Sequence, residues 1–446
     1  MTEQPAITKT TERIDLEEQP DFSSGEELSQ DLEILTFGCR LNTWESEVIR
    51  SHAHTQKLHQ SQTVIVNTCA VTREAERQAR QAIRRVHRTK PHARIIVTGC
   101  AAQIDPKRWS DLPGVTHVLG NKEKLEVESW ADTTLTSPVM VSDIMNAQET
   151  AAPLVTEFAG RTRAFAQIQQ GCDHRCTFCV IPFGRGPSRS VSVGAVVEQM
   201  RAFIQSGYRE IVLTGVDLTS WGADLPGKPS LGQLCRRILR LVPELERLRL
   251  SSVDPVEIDE EIWHLLETEP RFMPYLHLSL QSGSDLILKR MKRRHLVADA
   301  VRVIMRARRI RPDIGLGADI IAGFPTEDET LFGQTQAFLR KMAIPYLHVF
   351  PYSERPETPA ARMPALPFSE RKARAALLRA IGQESATRYY TSLLNQPLRV
   401  LMETTTQGHS EQFAPVRLNK GEACVGDIVL LKPIAVETGY IRAERI

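Results

Sequence analysis

The stretch AFAQIQQGCDHRCTFC, residues 164–179, decides the fold, because a short strand-like run leads directly into Cys172, Cys176 and Cys179. We call these three cysteines the barrel triad. Their C-x3-C-x2-C spacing on a loop lets three sulfur atoms surround one iron–sulfur cluster. A structural zinc site with His174 as fourth ligand is the alternative, but such sites favour four closed ligands in paired C-x2-C spacing. Three cysteines instead leave one metal position open for a substrate or cofactor.

Six strand-like segments begin with this stretch, and each except the last is followed by an amphipathic helical segment. The six segments are AFAQIQQGC, REIVLTGVD, LERLRLSSVDP, YLHLSLQSGSD, IGLGADIIAGFPTED and YLHVFPYSERP. This alternation fits a partial, open (βα)6 barrel better than a doubly wound sheet, although periodicity alone does not separate the two.

A second series of strands and helices precedes the barrel and predicts an open parallel α/β sheet. Cys39, Cys69 and Cys100 each end one of its strands, in LEILTFGC, TVIVNTC and ARIIVTGC. We call them the N-terminal triad. Because the carboxyl ends of parallel strands form one crevice, we expect these cysteines to converge on a metal. Three buried structural cysteines are the alternative, since free Cys packs as a small hydrophobe.

The pattern divides the chain into four parts. Residues 1–30 are acidic and lack periodicity, so we expect a disordered tail. The α/β domain covers residues 31–150 and the barrel domain residues 151–384. Residues 385–446 contain short strands that predict a small β-barrel.

Composition narrows the class of protein. A formal net charge of +2 over 446 residues gives no global positive field, so any nucleic-acid contact must come from local patches. The absence of a long apolar run and of a secretion signal predicts a cytoplasmic protein without membrane contact. In that reducing compartment the eight cysteines are expected to be metal ligands, catalytic groups or core residues rather than disulfides. We assign Cys235 to the core and give Cys424 no metal role.

A basic stripe runs along the helix that follows Cys69. It consists of Arg73, Arg77, Arg80, Arg84 and Arg88, which recur every three or four residues. Such a stripe either neutralises RNA phosphates or forms a solvated helix face. A shorter basic run covers residues 292–294.

C-x3-C-x2-C at the end of a first barrel strand resembles the signature of the radical S-adenosylmethionine superfamily. With the N-terminal triad and a small C-terminal β-domain, residues 31–446 resemble the methylthiotransferases. The resemblance implies two [4Fe–4S] clusters: the barrel triad holds one whose open iron binds S-adenosylmethionine (SAM), and the N-terminal triad holds an auxiliary one. It also implies that the C-terminal module is a TRAM-like RNA-binding domain.

The segments GCRLNTWESE and CTFCVIPFGRGPSRS are most similar to the branch that modifies N6-threonylcarbamoyladenosine (adenosine 37) beside the tRNA anticodon. For that branch the resemblance implies methylthio transfer to C2 of the adenine, with one SAM methylating sulfur at the auxiliary cluster and another supplying a 5′-deoxyadenosyl radical. The alternatives are the branches that act on isopentenyladenosine or on a ribosomal protein aspartate. A non-catalytic iron–sulfur RNA-binding protein is the alternative of another class.

Other site residues follow from strand ends. The superfamily often has Gly-Gly-Glu after the second strand, where this chain has Thr214, Gly215 and Asp217. Gly215, Gln281 and Asp319 are candidate SAM contacts, with turn or capping chemistry as the alternative. We expect no catalytic residue beyond the cluster ligands. The expected partners of a monomer are the tRNA anticodon stem-loop, an electron donor and a sulfur source.

Overall fold

The computed structural model describes residues 32–58, 62–131, 137–148, 153–158 and 160–446. The tail at residues 1–30 lies outside the described residues. Among the described residues, no helix has the length and apolar character needed to cross a membrane.

The N-terminal unit is an open parallel α/β sheet. Its elements are β1 (Leu32–Thr36), α1 (Arg40–Thr55), β2 (Thr63–Thr68), α2 (Arg73–Thr89), β3 (Arg94–Gly99), α3 (Cys100–Ile104), α4 (Pro106–Ser110), β4 (Val115–Leu119) and β5 (Val139–Met140). The strand order is β1-β2-β3-β4-β5 and every neighbouring pair is parallel. β2 is buried along its whole length because helices cover both faces of the sheet. The short β5 lies in a segment without periodicity and escaped sequence prediction.

The central unit is the predicted partial barrel. Its elements are β6 (Arg163–Gln167), β7 (Gln169–Gln170), α5 (Ile181–Arg185), β8 (Arg189–Ser190), α6 (Val193–Gln205), β9 (Glu210–Thr214), α7 (Leu231–Leu241), β10 (Arg247–Leu250), β11 (Ser252–Val253), α8 (Glu260–Thr268), β12 (Tyr275–Gln281), α9 (Asp285–Arg290), α10 (Val297–Ile310), β13 (Gly315–Ala322), α11 (Glu329–Met342), β14 (Tyr346–Pro351) and α12 (Phe368–Ser392). β10-β9-β6 and β11-β12-β13-β14 are the two parallel sheets. Only Ser251 separates β10 from β11, so the sheets form one open arc.

The last barrel strand also has a covering helix, which corrects the sequence prediction. Ala375, Leu378 and Ile381 of α12 share the barrel core with Val349 of β14. We expected α12 only to lead into the C-terminal strands. Its apolar face covers the sixth strand as well, because an exposed parallel strand would leave apolar side chains in water.

The C-terminal unit is a closed five-stranded barrel, as predicted. Its strands are β15 (Leu398–Met402), β16 (Gln407–Ser410), β17 (Pro415–Leu418), β18 (Ile428–Glu437) and β19 (Tyr440–Arg445), in the order β15-β16-β17-β19-β18. The polar β16 was not predicted. The loop after β16 packs beneath the larger barrel, where the Phe413 ring centroid lies 4.8 Å from the Arg163 guanidinium and 5.1 Å from that of Arg249.

The N-terminal unit packs on the open edge of the central barrel. Trp44 and Val48 of α1 belong to the same apolar core as Ala164 and Phe165 of the edge strand β6. The amphipathic α1 therefore buries apolar side chains against the barrel as well as against its own sheet. This packing places the carboxyl ends of β1, β2 and β3 beside those of the barrel strands.

Candidate metal centres and cofactor site

The N-terminal triad converges at the carboxyl edge of its sheet. Cys39 precedes the first residue of α1, Cys69 follows β2, and Cys100 is the first residue of α3. All three are free thiols. Burial, followed by the charges of Cys39 and Cys100, raises the pKa of the Cys69 thiol to about 12. Binding of a metal requires the thiolate form, so a metal held by Cys69 would displace its proton.

Glycines allow these loops to approach one another. Gly38 has φ +105°, and a Cβ there would lie 2.8 Å from the Cys69 Sγ. Gly99 has φ +99°, and a Cβ there would lie 2.3 Å from the Thr68 carbonyl oxygen. Any other residue would push the triad apart.

The barrel triad lies on the loop between β7 and α5, and its thiols are also free. Burial, followed by the Cys176 charge, raises the pKa of Cys179 to about 12, and Cys100 of the N-terminal triad adds to the rise. The two triads are thus close enough for their charges to interact. The donor set fits a three-cysteine iron–sulfur cluster with an open position.

His174 has polar partners outside its own loop. Its Nε2 lies 3.0 Å from Asp217 Oδ2 and 2.7 Å from Arg294 Nη2. A ligand atom of Cys172 lies within 4.8 Å of both His174 and Asp217, so these three are the nearest approach to a zinc-type group here. The exclusion of His174 from the cluster stays a prediction.

Arg185 links the two units and escaped sequence prediction. It is 2% exposed, and its Nη1 donates to Glu45 Oε1 at 2.7 Å while its Nη2 donates to Asn42 Oδ1 at 2.8 Å. The Asn42 Oδ1 lies 3.7 Å from the Cys39 Sγ. The buried Lys124 contacts the same Glu45 carboxylate at 2.6 Å. The last residue of α5 therefore supports the loop of the N-terminal triad.

Arg293 performs a similar role at the barrel triad. Its Nη1 lies 3.6 Å from the Cys176 Sγ, and its Nη2 donates to Asp254 at 2.8 Å. The sequence indicated only a basic run at residues 292–294. Arg293 is instead half-buried next to the Cys176 thiol.

Of the candidate SAM contacts, Gly215 and Gln281 lie at the carboxyl ends of their strands, and Asp319 lies in the middle of β13. A Cβ at Gly215 would meet Gln169 Oε1 at 3.0 Å, so close packing by itself explains this glycine. Gln281 has φ +71°, a left-handed backbone that non-glycine residues rarely adopt and that often marks functional sites. Asp319 lies on β13, where its Oδ1 is 3.1 Å from His277 Nε2 and 3.4 Å from His348 Nδ1.

Burial alone would raise the pKa of Asp319, but its hydrogen bonds with the two histidines lower it below the usual range. The carboxylate therefore stays charged within the barrel. His277, Asp319 and His348 bring ligand atoms within 4.8 Å of one another, a cluster that sequence analysis missed because its members lie on three strands.

The basic stripe on α2 is split by its ion pairs. Arg73 contacts Glu354 at 3.2 Å, Arg77 pairs with Glu74, and Arg80 lies 3.8 Å from Glu76. Arg84 and Arg88 are exposed and have no carboxylate partner among the described residues. The end of α2 distant from Cys69 thus carries the uncompensated charge.

Comparisons with known proteins agree with this geometry. The profile of the Radical SAM superfamily matches residues 167–339, and that of the Uncharacterized protein family UPF0004 matches residues 31–120.

The sequence is 47% identical to the threonylcarbamoyladenosine tRNA methylthiotransferase MtaB of Rickettsia prowazekii, over 92% of this chain and 96% of that protein. It is 31% identical to a tRNA-2-methylthio-N(6)-dimethylallyladenosine synthase of Cereibacter sphaeroides, over 93% and 98%. The radical S-adenosylmethionine methyltransferase TsrM of Kitasatospora setae has a similar fold, with a TM-score of 0.53 and 15% identity over 74% of this chain and 77% of that one.

Proposed function

Since the chain belongs to the threonylcarbamoyladenosine tRNA methylthiotransferases of the radical SAM superfamily, we propose that it transfers a methylthio group to C2 of N6-threonylcarbamoyladenosine in tRNA. The observation that carries the proposal is the meeting of two free-cysteine triads from separate sheets, bridged by the buried Arg185. One triad suffices for a radical enzyme, whereas a second suits the handling of sulfur.

The cofactors are two [4Fe–4S] clusters and SAM. We assign one cluster to the barrel triad and the auxiliary cluster to the N-terminal triad. When bound, these groups supply the one-electron and sulfur-transfer chemistry that substitution at an unactivated aromatic carbon requires. The chain's own contribution is to fix the two sites relative to each other, which the Arg185–Glu45 pair does through side chains that are 2% and 0% exposed.

The remaining site residues are assigned by position. Gly215 follows β9 and Gln281 ends β12, on the side where SAM would contact the cluster of the barrel triad, whereas Asp319 lies in the middle of β13. The left-handed backbone of Gln281 supports its assignment most, and close packing against Gln169 weakens that of Gly215. Charged Asp319 suits hydroxyl donors of a ribose.

The domain assignment follows the same division of tasks. Residues 31–150 hold the auxiliary cluster, residues 151–384 bind SAM, and residues 385–446 are a TRAM-like module that binds the tRNA anticodon stem-loop. The exposed Arg84 and Arg88 are suited to RNA phosphates. The enzyme acts as a cytoplasmic monomer and takes electrons and sulfur from separate donors.

The threonylcarbamoyl branch is favoured by the higher identity to its members, 47% against 31% for the dimethylallyladenosine relative. Nucleoside mass spectrometry of tRNA from a deletion strain tests this choice. We expect loss of the methylthio form of threonylcarbamoyladenosine and its return with the wild-type gene. Loss of the methylthio isopentenyl form instead would move the enzyme to the sister branch.

SAM cleavage distinguishes the proposed enzyme from the alternative, a non-catalytic iron–sulfur RNA-binding protein. The anaerobically reconstituted full chain with a chemical reductant is expected to release 5′-deoxyadenosine and methionine. An intact cofactor pool at full iron loading would contradict the enzymatic function.

A further inference from the structure

Phe183 is an exposed aromatic residue on an otherwise packed helix. It is 48% exposed, whereas Pro182, Gly184 and Arg185, its neighbours on α5, are buried. A single exposed apolar side chain is ordinary on a protein surface. Phe183 differs from such residues in its location near the two triads and in the rigid packing of its helix.

Phe183 lies between the two cysteine triads. It is four residues after Cys179, and the adjacent Gly184 packs on Cys100, since a Cβ at Gly184 would lie 3.2 Å from the Cys100 Cβ. Asn121 of the N-terminal unit donates to the Gly184 carbonyl oxygen. The helix that carries the ring therefore follows the barrel triad directly and packs on the N-terminal triad.

The support of this ring is rigid. Arg185 anchors the next turn through Glu45 and Asn42, and Gly186 closes the helix with φ +74° against the Ile144 carbonyl oxygen. Little conformational entropy is therefore lost when a partner covers the ring. Rigid exposed aromatics of this kind are efficient contact groups.

The surroundings indicate the chemistry of the partner. Val71, whose N–H donates to the Cys69 Sγ, and Ile104, one turn after Cys100, are also exposed apolar residues beside the N-terminal triad. The uncompensated Arg84 and Arg88 lie at the far end of α2, so they are not neighbours of these apolar side chains. An exposed aromatic ring close to both triads complements the face of a nucleobase.

We propose that Phe183 is a stacking platform for an unstacked base of the tRNA loop that carries the target adenosine. The proposal rests on the tRNA substrate assigned above. A base removed from its own stack needs a replacement surface, and aromatic side chains provide it in single-stranded RNA recognition.

The test uses anticodon stem-loop RNAs with 2-aminopurine placed in turn at the target position and at each neighbour. Fluorescence and anisotropy are measured with the anaerobically reconstituted full chain. Wild type is expected to quench at least one position. Phe183→Ala should abolish that quenching and weaken binding about 5- to 100-fold, and raise KM for the natural stem-loop.

Phe183→Leu and Phe183→Tyr separate stacking from folding. Leu keeps apolar volume next to the cluster sites but is expected to lose the quenching, whereas Tyr keeps it. Iron content and circular dichroism verify each variant. Phe368→Ala, which removes a 60% exposed ring at the start of α12, is the matched control and should change neither signal.

Quenching and affinity equal to wild type in Phe183→Ala would overturn the stacking proposal while leaving methylthio transfer intact. Equal quenching by Phe183→Leu would also overturn it, because apolar contact without stacking would then suffice. Failure of wild type itself to bind any stem-loop would overturn the proposed tRNA function, and the stacking proposal with it.

Discussion

Arg185 of α5 and Glu45 of α1, 140 residues apart in sequence, form an ion pair with side chains 2% and 0% exposed. Lys124 contacts the same carboxylate, and Asn42 connects the Arg185 guanidinium to the Cys39 thiol. Burial alone would raise the pKa of Glu45, but the charges of Arg185 and Lys124 lower it to about 2. The relative position of the two triads therefore depends on a charge pair that water does not reach.

Removal of the Arg185 charge should destabilise the protein strongly. Arg185→Gln leaves Glu45 buried with Lys124 as its only cation among the described residues, and we expect a loss of about 3 kcal/mol in the free energy of unfolding. Denaturant unfolding of the reconstituted chain measures it. Arg185→Lys should lose less, because the charge is kept.

Arg50→Gln is the control for this change. Arg50 lies on the same α1 and pairs with Glu47 at the surface, with 26% of its side chain exposed. Its loss should cost less than about 1 kcal/mol. Equal effects of the two glutamine variants would show that burial of the Arg185 pair has no energetic consequence.

Glu210, beneath the barrel, should make stability depend on acid pH. Burial alone would raise the pKa of Glu210, but the charges of Arg249, Arg163 and Arg247 outweigh it and lower the pKa to about 2. A folded pKa below the unfolded value stabilises the protein above pH 4.5, and this stabilisation is lost as the pH falls toward 2.

The measurement compares denaturant unfolding of wild type and Glu210→Gln from pH 7 to pH 3. Wild type should be more stable by about 3 kcal/mol at pH 7, and the difference should shrink below pH 4.5. Acid damage to a bound cluster affects both proteins and cancels in the difference. Glu260→Gln, at an exposed pair with Arg306 that solvent screens, is the control and should show a much smaller trend. A pH-independent difference would contradict the role of the carboxylate.

The position of the cysteines at strand ends could be predicted from the sequence, and long-range ion pairing could not. Cys69 follows an apolar β-branched run, so local pattern placed it at a sheet edge. Arg185 gives no local sign of its partner, because Glu45 lies on another unit. The basic stripe on α2 was predicted from the spacing of its arginines. The ion pair of Arg73 with Glu354 was not predicted, because Glu354 lies on a loop distant in sequence. β16 was missed because its sequence, QGHS, has no apolar alternation.

Substitutions in the two triads should cause different losses of activity. Cys176→Ala is expected to abolish SAM cleavage, because it removes a ligand of the cluster beside the SAM site. Cys69→Ala should leave cleavage but stop methylthio insertion. Each variant should retain about four of about eight iron atoms. Iron analysis, 5′-deoxyadenosine release and nucleoside mass spectrometry are measured together, with Cys235→Ala as the core control. Identical losses in the two triad variants would contradict the division.

The uncompensated end of α2 should carry the salt dependence of tRNA binding. Arg84 and Arg88 have no carboxylate partner among the described residues, so each is available to displace a counterion from a phosphate. The double variant Arg84→Gln/Arg88→Gln should lower the slope of log Kd against log salt by about two. Arg77→Gln on the same helix is the matched control, since Glu74 already engages its guanidinium. Fluorescence anisotropy with an anticodon stem-loop from 50 to 300 mM salt gives both slopes. An unchanged slope in the double variant would assign these arginines to a solvated helix face. A decrease of equal size per residue in Arg77→Gln would mean that ion pairing on α2 does not determine which arginines contact RNA.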